Sequence, residues 1–475
     1  MNQEKNTYKQ ILKTTSIFGG VQVYNIFIAV VRSKIVAVLL GPAGIGISGL
    51  YQNATGLVSG FSSFGLNNSG VKSISESNEK EKTVSVLYTL LLFTGILGTL
   101  VGLIFAKQLS ISTFGSSEYT LQLRWLSATI LFNQLAAGYN AILTGYQAIK
   151  QLAAMNVWIG IVGLLVSVPL FYFYGIEGIV PSIWISSFLS FGVGWYFVNK
   201  LVKRRLLIGS MRDVFRSGRE MLKLGFLLNI NTLFTLLIAY LIRIYISKTG
   251  GLLDVGLYTA AFLILNTYVG MVFTAMSTDY FPSLSKLGSN IFERNGLVNR
   301  QIEIGLLLIS PMLIAFSIVS KQLIIVFYSN TFLPIQDLLL FALLGMYLKV
   351  VGWGLGYLYL ACGTQKNYFI NETIFNVFNL VSSIVGYHFW GLMGLGYSFA
   401  ALYFIYAIYM MFFSTIQMKM NFSGLFYLVL IIQGLLVFAS VTLTIQGQTI
   451  LFALFLFLAS SLFSLITLRT RLRNV

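Results

Sequence analysis

The sequence predicts an all-α fold: a polytopic membrane protein of about fourteen transmembrane helices, built as two pseudo-symmetric six-helix lobes followed by two further helices. Three observations predict it. The 475 residues are 57% hydrophobic and 9% charged, with a mean hydropathy of +0.82, whereas a soluble domain carries about 25% charged residues. The apolar residues fall in runs long enough to cross a bilayer, separated by short polar breaks. The first half also resembles the second weakly, in the same order, at offsets of 210 to 218 residues.

The spans follow in order. Span one runs over 11–40 and stops at Gly41-Pro42; span two begins at once and runs over 43–71. A polar loop at 72–82 leads to span three (83–106), and 107–118 leads to span four (119–149). Span five ends near Tyr174, and span six covers 176–198. The longest break, 199–223, carries eight basic residues and reads as a membrane-surface helix between the lobes. Spans seven (224–247), eight (255–281) and nine (301–320) follow, the last two parted by the loop 282–300; then comes an irregular stretch, KQLIIVFYSNTFLPIQ. Spans ten (337–362), eleven (368–388) and twelve (395–416) complete the second lobe, and spans thirteen (425–444) and fourteen (449–468) precede a basic tail. The expected domains are therefore 1–198, the basic segment 199–223, 224–420, and 421–475.

Charge sets the expected orientation. Loops on the side of the N-terminus hold 23 Lys and Arg, the opposite loops hold three, and five lie inside spans. By the positive-inside rule both termini are cytoplasmic. The net charge of +17 is then an orientation signal and a contact with anionic membrane lipids, and it requires no nucleic acid. A single cysteine, Cys362, and a single histidine, His388, exclude an internal disulfide framework, a paired-cysteine metal site and a histidine cluster. No metal or cofactor is expected. The first span lacks a small-residue cleavage site and reads as retained.

The repeat is carried by three matches. GPAGIGISGLYQN at 41–53 aligns with GLLDVGLYTAAFL at 251–263, placing Gly46 over Gly256. YGIEGIVPS at 174–182 aligns with WGLMGLGYS at 390–398, and GYQ at 145–147 with GTQ at 363–365. A parallel duplication of six spans, related by an axis along the membrane normal, accounts for all three.

The five embedded cations are the candidate binding residues. They are Arg32 and Lys34 in span one, Arg124 in span four, Arg243 in span seven and Lys349 in span ten. A cation at the bilayer centre costs roughly 2.5–3.5 kcal/mol, so it faces water, an anion or the interface. Gln22, Asn25, Ala29 and Arg32 share one helical face, while Lys34 points elsewhere. Arg32 and Arg243 nearly coincide in the repeat; Lys349 lies about two turns deeper than Arg124. Only Asp279 and Glu372 are acidic within apolar spans away from the outer ends, both toward the cytoplasmic side. Most of the cations therefore lack an acidic partner at their depth. A cavity awaiting an anion explains this; snorkelling toward the headgroups is the competing reading. Glu372 and Asp279 are the candidates for ion coupling. Polar stripes accompany the cations: Gln52, Thr55, Ser59 and Ser63; Asn229 and Thr232; Asn266, Thr274 and Ser277; and Glu372, Asn376, Asn379 and Ser383. They suit either a hydrated cavity or interhelical hydrogen bonding.

There is no GxxxxGK[ST] loop, no long loop on the non-cytoplasmic side and no carboxylate pair at a cavity mouth. These absences favour a transporter over an enzyme.

KIVAVLLGPAGIGISG at 34–49, LKVVGWGLGY at 348–357 and GYLYLACGTQKNYFI at 356–370 resemble the Wzx-type polysaccharide flippases of the multidrug/oligosaccharidyl-lipid/polysaccharide exporter superfamily. The likeness is greatest to flippases for O-antigen and enterobacterial common antigen (lipid III) units, and it covers nearly the whole chain in span order. It implies a cargo of undecaprenyl-pyrophosphate-linked oligosaccharide, carried from the cytoplasmic to the periplasmic leaflet of a bacterial inner membrane. It implies alternating access around a cationic central cavity, with Lys34 and Lys349 as cavity residues by motif match. A polysaccharide polymerase and a chain-length regulator are the further partners it implies. Two other readings remain open: a cation-coupled multidrug antiporter of the same fold, which would line its cavity with carboxylates, and a membrane polysaccharide polymerase, which would need a catalytic loop.

Overall fold

A computed structural model describes residues 2–202, 211–287, 290–361, 365–447 and 450–473. Among the described residues every regular element is helical. Nine helical stretches among them are long and apolar enough to cross a membrane, and some run 51 to 75 residues. A single crossing needs about 20 residues, so the longest stretches hold more than one span. This is a multi-pass membrane protein.

The breaks inside the long helices fall at glycines. Helix α1 (Asn2–Ser62) is kinked at Gly41, with φ 64° and ψ −172°. Helix α7 (Met211–Leu263) is kinked at Gly251, with φ 79° and ψ −175°. Residues with a side chain are excluded from that backbone region, so glycine is required at both places. These two glycines are the repeat-equivalent pair at offset 210. A second pair does the same: Gly175 has φ 53° and ψ −129°, and Gly391, inside α12 (Gln365–Met418), has φ 58° and ψ −141°. The duplication read from weak sequence matches thus recurs as matched backbone geometry.

The chain divides into two compact units, 1–256 and 257–475. The first holds α1, α2 (Leu66–Glu76), α3 (Lys80–Phe114), α4 (Thr120–Gly145), α5 (Ile149–Tyr174), α6 (Ile179–Asn199) and most of α7. Its core gathers Leu87, Leu91, Tyr139, Ile142 and Met155 from α3, α4 and α5. Span seven belongs to this unit. Asn229 Nδ2 donates to the carbonyl oxygen of Gly60 at 3.1 Å, and Gly65 and Gly225 meet backbone to backbone. At the other end of the same helices, the repeat-equivalent Gly46 and Gly256 touch. A β-carbon on Gly256 would fall on the carbonyl oxygen of Pro42, and one on Gly46 on that of Leu252.

The second unit holds α8 (Met271–Lys286), α9 (Ile291–Ile318), α10 (Ser320–Phe327), α11 (Gln336–Ala361), α12, α13 (Gly424–Ile445) and α14 (Ile450–Arg473). A buried carboxylate ties its last helices to α9. Glu303 accepts from Arg471 Nη2 at 2.9 Å and from Ser423 Oγ at 2.7 Å. Exposed Leu451, Phe455, Leu458 and Leu462 on α14 give this helix a lipid-facing side.

Several expected loops are helical. Within 72–82 α2 continues to Glu76, started by Gly65 at φ 64°. Most of 107–118 extends α3 to Phe114. The irregular stretch after span nine contains α10 and a 3₁₀ turn over Asn330–Ile335. The basic segment is not a separate surface helix along its described C-terminal part: α7 starts at Met211 and runs unbroken into span seven. Arg212, Arg216 and Arg219 sit on a helix already nucleated by the apolar span behind them, so extending it costs little. Lys203, Arg204 and Arg205 lie outside the described residues.

Candidate functional site

Each unit carries its own polar pocket. In the first unit α1, α4 and α6 enclose about 340 Å³. Its walls are stripes at helical spacing. The second half of α1 supplies Gln52, Thr55, Gly56 and Ser59; α6 supplies Ser186, Ser187 and Ser190; α4 supplies Asn133. Arg32, from the first half of α1, is the charged residue of this lining, and no carboxylate accompanies it. Several hydroxyls are turned back on their own helices, as Ser190 Oγ donates to the Ser186 carbonyl at 2.7 Å and Thr55 Oγ1 to that of Tyr51 at 2.8 Å. Ser186 Oγ is buried with no hydrogen-bond partner among the described residues. The pocket offers one guanidinium amid amides and hydroxyls, which suits a polar anion.

In the second unit α11 and α12 enclose about 270 Å³. Lys349, Trp353 and Tyr357 form one stripe of α11, four residues apart, with Gly352 and Gly356 beside them. Tyr368, Glu372 and Phe375 form the facing stripe of α12, and Tyr403 and Tyr406 close the pocket from the same helix beyond its kink. Lys349 Nζ stands 5.5 Å from the ring centre of Phe273 and 5.7 Å from that of Tyr403, within cation–π range. Phe273 follows a π-helical turn at Ile264–Val269, which resets the helical phase ahead of α8.

The sequence-predicted residues are thus distributed unevenly. Arg32 lies in the first pocket, Lys349 and Glu372 in the second. Lys34 is half-buried, two positions from Arg32, and lines neither pocket. Arg243 is also half-buried and donates from Nη1 to the Ala239 carbonyl of its own helix at 3.0 Å. Arg124 is exposed, one turn into α4, beside exposed Leu121 and Trp125. Asp279 is exposed, with Ser283 Oγ at 3.5 Å. Lys349 has an acidic neighbour, because Glu372 shares its pocket, whereas the lining around Arg32 has none. Lys349 and Glu372 are 23 positions apart on different helices, and only the packing of α12 on α11 reveals the pairing.

Of the polar stripes, Gln52, Thr55 and Ser59 line a pocket, whereas Ser63 is buried and bonds the Gly60 carbonyl at 3.0 Å. Asn229 and Asn376 are buried hydrogen-bonding residues of the helix packing. The side chains of Gln22 and Asn25 lie outside the described residues. Sequence reasoning missed the serines of α6 and every aromatic wall of the second pocket. The signal for the latter was present: LKVVGWGLGY holds Lys349, Trp353 and Tyr357 at i, i+4 and i+8.

Kinked apolar helices with a polar, charge-bearing pocket in each unit define a multi-pass membrane protein. The family described as Polysaccharide biosynthesis protein matches residues 35–337, more than half of the chain, and the chain belongs to that family. Among curated proteins it is similar to the Lipid III flippase of Escherichia coli (strain K12), 23% identical over 389 residues, covering 78% of this chain and 90% of that protein. Its fold is that of a solved structure of Lipid II flippase MurJ in an inward closed conformation, with a TM-score of 0.68 at 18% identity over 97% of this chain and 99% of that one. An inward-facing multidrug resistance transporter of the MATE family shares it too, with a TM-score of 0.64 at 16% identity over 84% and 94% of the two chains. The resemblance read from the glycine-rich segments therefore holds.

Proposed function

We propose that this protein flips an undecaprenyl-pyrophosphate-linked oligosaccharide, an O-antigen or related repeat unit, between the leaflets of a bacterial inner membrane, from the cytoplasmic to the periplasmic side. The observation that carries the reading is Arg32 in a pocket of hydroxyls and amides with no carboxylate in its lining. A pyrophosphate is a dense anion, and a guanidinium binds phosphate oxygens in a bidentate fashion. Family membership supports polysaccharide biosynthesis as the setting, and the curated relative supports a lipid-linked cargo. Transport by alternating access needs only that the binding pocket open to one leaflet and then the other.

A multidrug antiporter is the second reading. Glu372 among aromatic rings favours it, since organic cations bind such surroundings. Lys349 in the same pocket opposes it, because it repels a cation.

One experiment separates the two. The purified protein is reconstituted into vesicles containing a fluorescent undecaprenyl-pyrophosphate oligosaccharide, and an impermeant quencher reads its transbilayer movement. The expected result is acceleration over protein-free vesicles, largely lost in Arg32→Gln. Equal rates with and without protein, together with uptake of a cationic dye under an ion gradient, would establish the antiporter reading instead.

A further inference from the structure

The second pocket has a composition that pyrophosphate binding does not explain. Its lining carries one amine and one carboxylate, Lys349 and Glu372, and is otherwise dominated by rings. Glu372 repels a phosphate, and Lys349 repels an organic cation. An occupant acceptable to both is neutral, rich in hydroxyls, and able to lie against aromatic faces. A pyranose ring has these properties: its C–H faces lie flat on aromatic rings, while its equatorial hydroxyls donate to a carboxylate and accept from an amine.

We propose that the pocket between α11 and α12 is a monosaccharide subsite, which takes one neutral sugar ring of the lipid-linked glycan. The proposal rests on the flippase reading above and specifies which part of the cargo this pocket reads. The walls are held in place before any ligand arrives. Trp353 is braced by Phe273 at 5.6 Å, Tyr280 at 5.5 Å and Tyr357 at 5.3 Å between ring centres. Tyr280 is itself fixed by a hydrogen bond from its hydroxyl to the Gly354 carbonyl at 2.8 Å. Opposite, Phe375 packs on Tyr403 at 5.2 Å and Tyr406 at 4.7 Å. Rings fixed in this way lose little freedom on binding. A volume of about 270 Å³ suits a single sugar ring. Gly356, beside Tyr357, leaves the α11 wall open, with nothing within 4 Å of an added β-carbon, and Gly352 lets the Tyr406 ring pack directly against α11.

The test uses the full-length protein in nanodiscs and farnesyl pyrophosphate as probe, either bare or carrying one hexose, one N-acetylhexosamine or one uronic acid. Affinities are measured by calorimetry. The expected result is that at least one neutral sugar tightens binding roughly tenfold over the bare lipid, the gain of about one well-made aromatic contact. Trp353→Leu and, as a milder change, Tyr368→Phe then erase or reduce that gain and leave the bare lipid's affinity as it was. Arg32→Gln weakens all probes alike. The subsite is refuted if no neutral sugar tightens binding, or if Lys349→Gln weakens the bare lipid as strongly as Arg32→Gln does, which would make this a second phosphate pocket. If the wild-type protein binds none of the probes, including the bare lipid, the flippase reading itself fails and the subsite with it.

Discussion

Two cations that look alike in the sequence differ in what surrounds them. Arg32 lines a pocket free of carboxylates, whereas Lys349 shares one with Glu372. A hydrogen bond to a charged group is worth about 1.5–3 kcal/mol, so removing the Arg32 guanidinium is expected to slow flipping by roughly tenfold or more. Arg32→Lys should recover part of this, since it restores charge without the planar fork. Arg124→Gln is expected to stay within about twofold of wild type, because Arg124 lines neither pocket and a cation one turn into a helix is tolerated by snorkelling. Surface display of the polysaccharide, with protein level measured in parallel, checks all three; full display from well-expressed Arg32→Gln would remove the anion pocket. At this scale the sequence showed which residues were anomalous. It could not rank them, because a residue's depth and helical face do not say which neighbours share its pocket.

At the scale of elements, glycines decide where helices bend and where they touch. Gly256 lies against Pro42 and Gly46 with no room for a β-carbon. Gly256→Ala should therefore destabilise by roughly 1–3 kcal/mol, the cost of overpacking, and lower the unfolding temperature in detergent. Gly163 in α5 has nothing within 4 Å of its added β-carbon, and Gly163→Ala should raise stability by up to about 1 kcal/mol through helix propensity. Equal effects of the two substitutions would show that the close approach is not what matters. The repeat was legible here: Gly41, Gly175, Gly251 and Gly391 stood out by alignment and all adopt positive φ. The loops were less legible. Polar residues after an apolar span read as a break, yet a helix already formed extends through them at little cost, as in α2 and the start of α7.

For the whole molecule, the basic residues fix the expected orientation. Arg212 is exposed at the start of α7, and the charge bias predicts that it lies on the cytoplasmic side. Arg212→Cys, in a background lacking Cys362, should resist an impermeant thiol reagent in intact cells and react once the membrane is opened. Strong labelling from outside would invert the topology. The same charge bias predicts that both termini are cytoplasmic, and a C-terminal reporter active only in that compartment tests it independently.

The sequence by itself determined what depends on composition and local order. Apolar length dictates membrane spans and glycine spacing marks the bends, since each is a property of neighbouring residues and their solvent. Tertiary structure alone decided the pockets. Lys349 and Glu372 are 23 positions apart in the chain, and Tyr403 and Tyr406 are more than fifty from Lys349, yet all line one cavity of α11 and α12. Arg32 likewise meets the serines of α6, more than 150 residues away, only through helix packing. Which side chains converge depends on the rotation and crossing of whole helices, and that geometry is set by long-range packing.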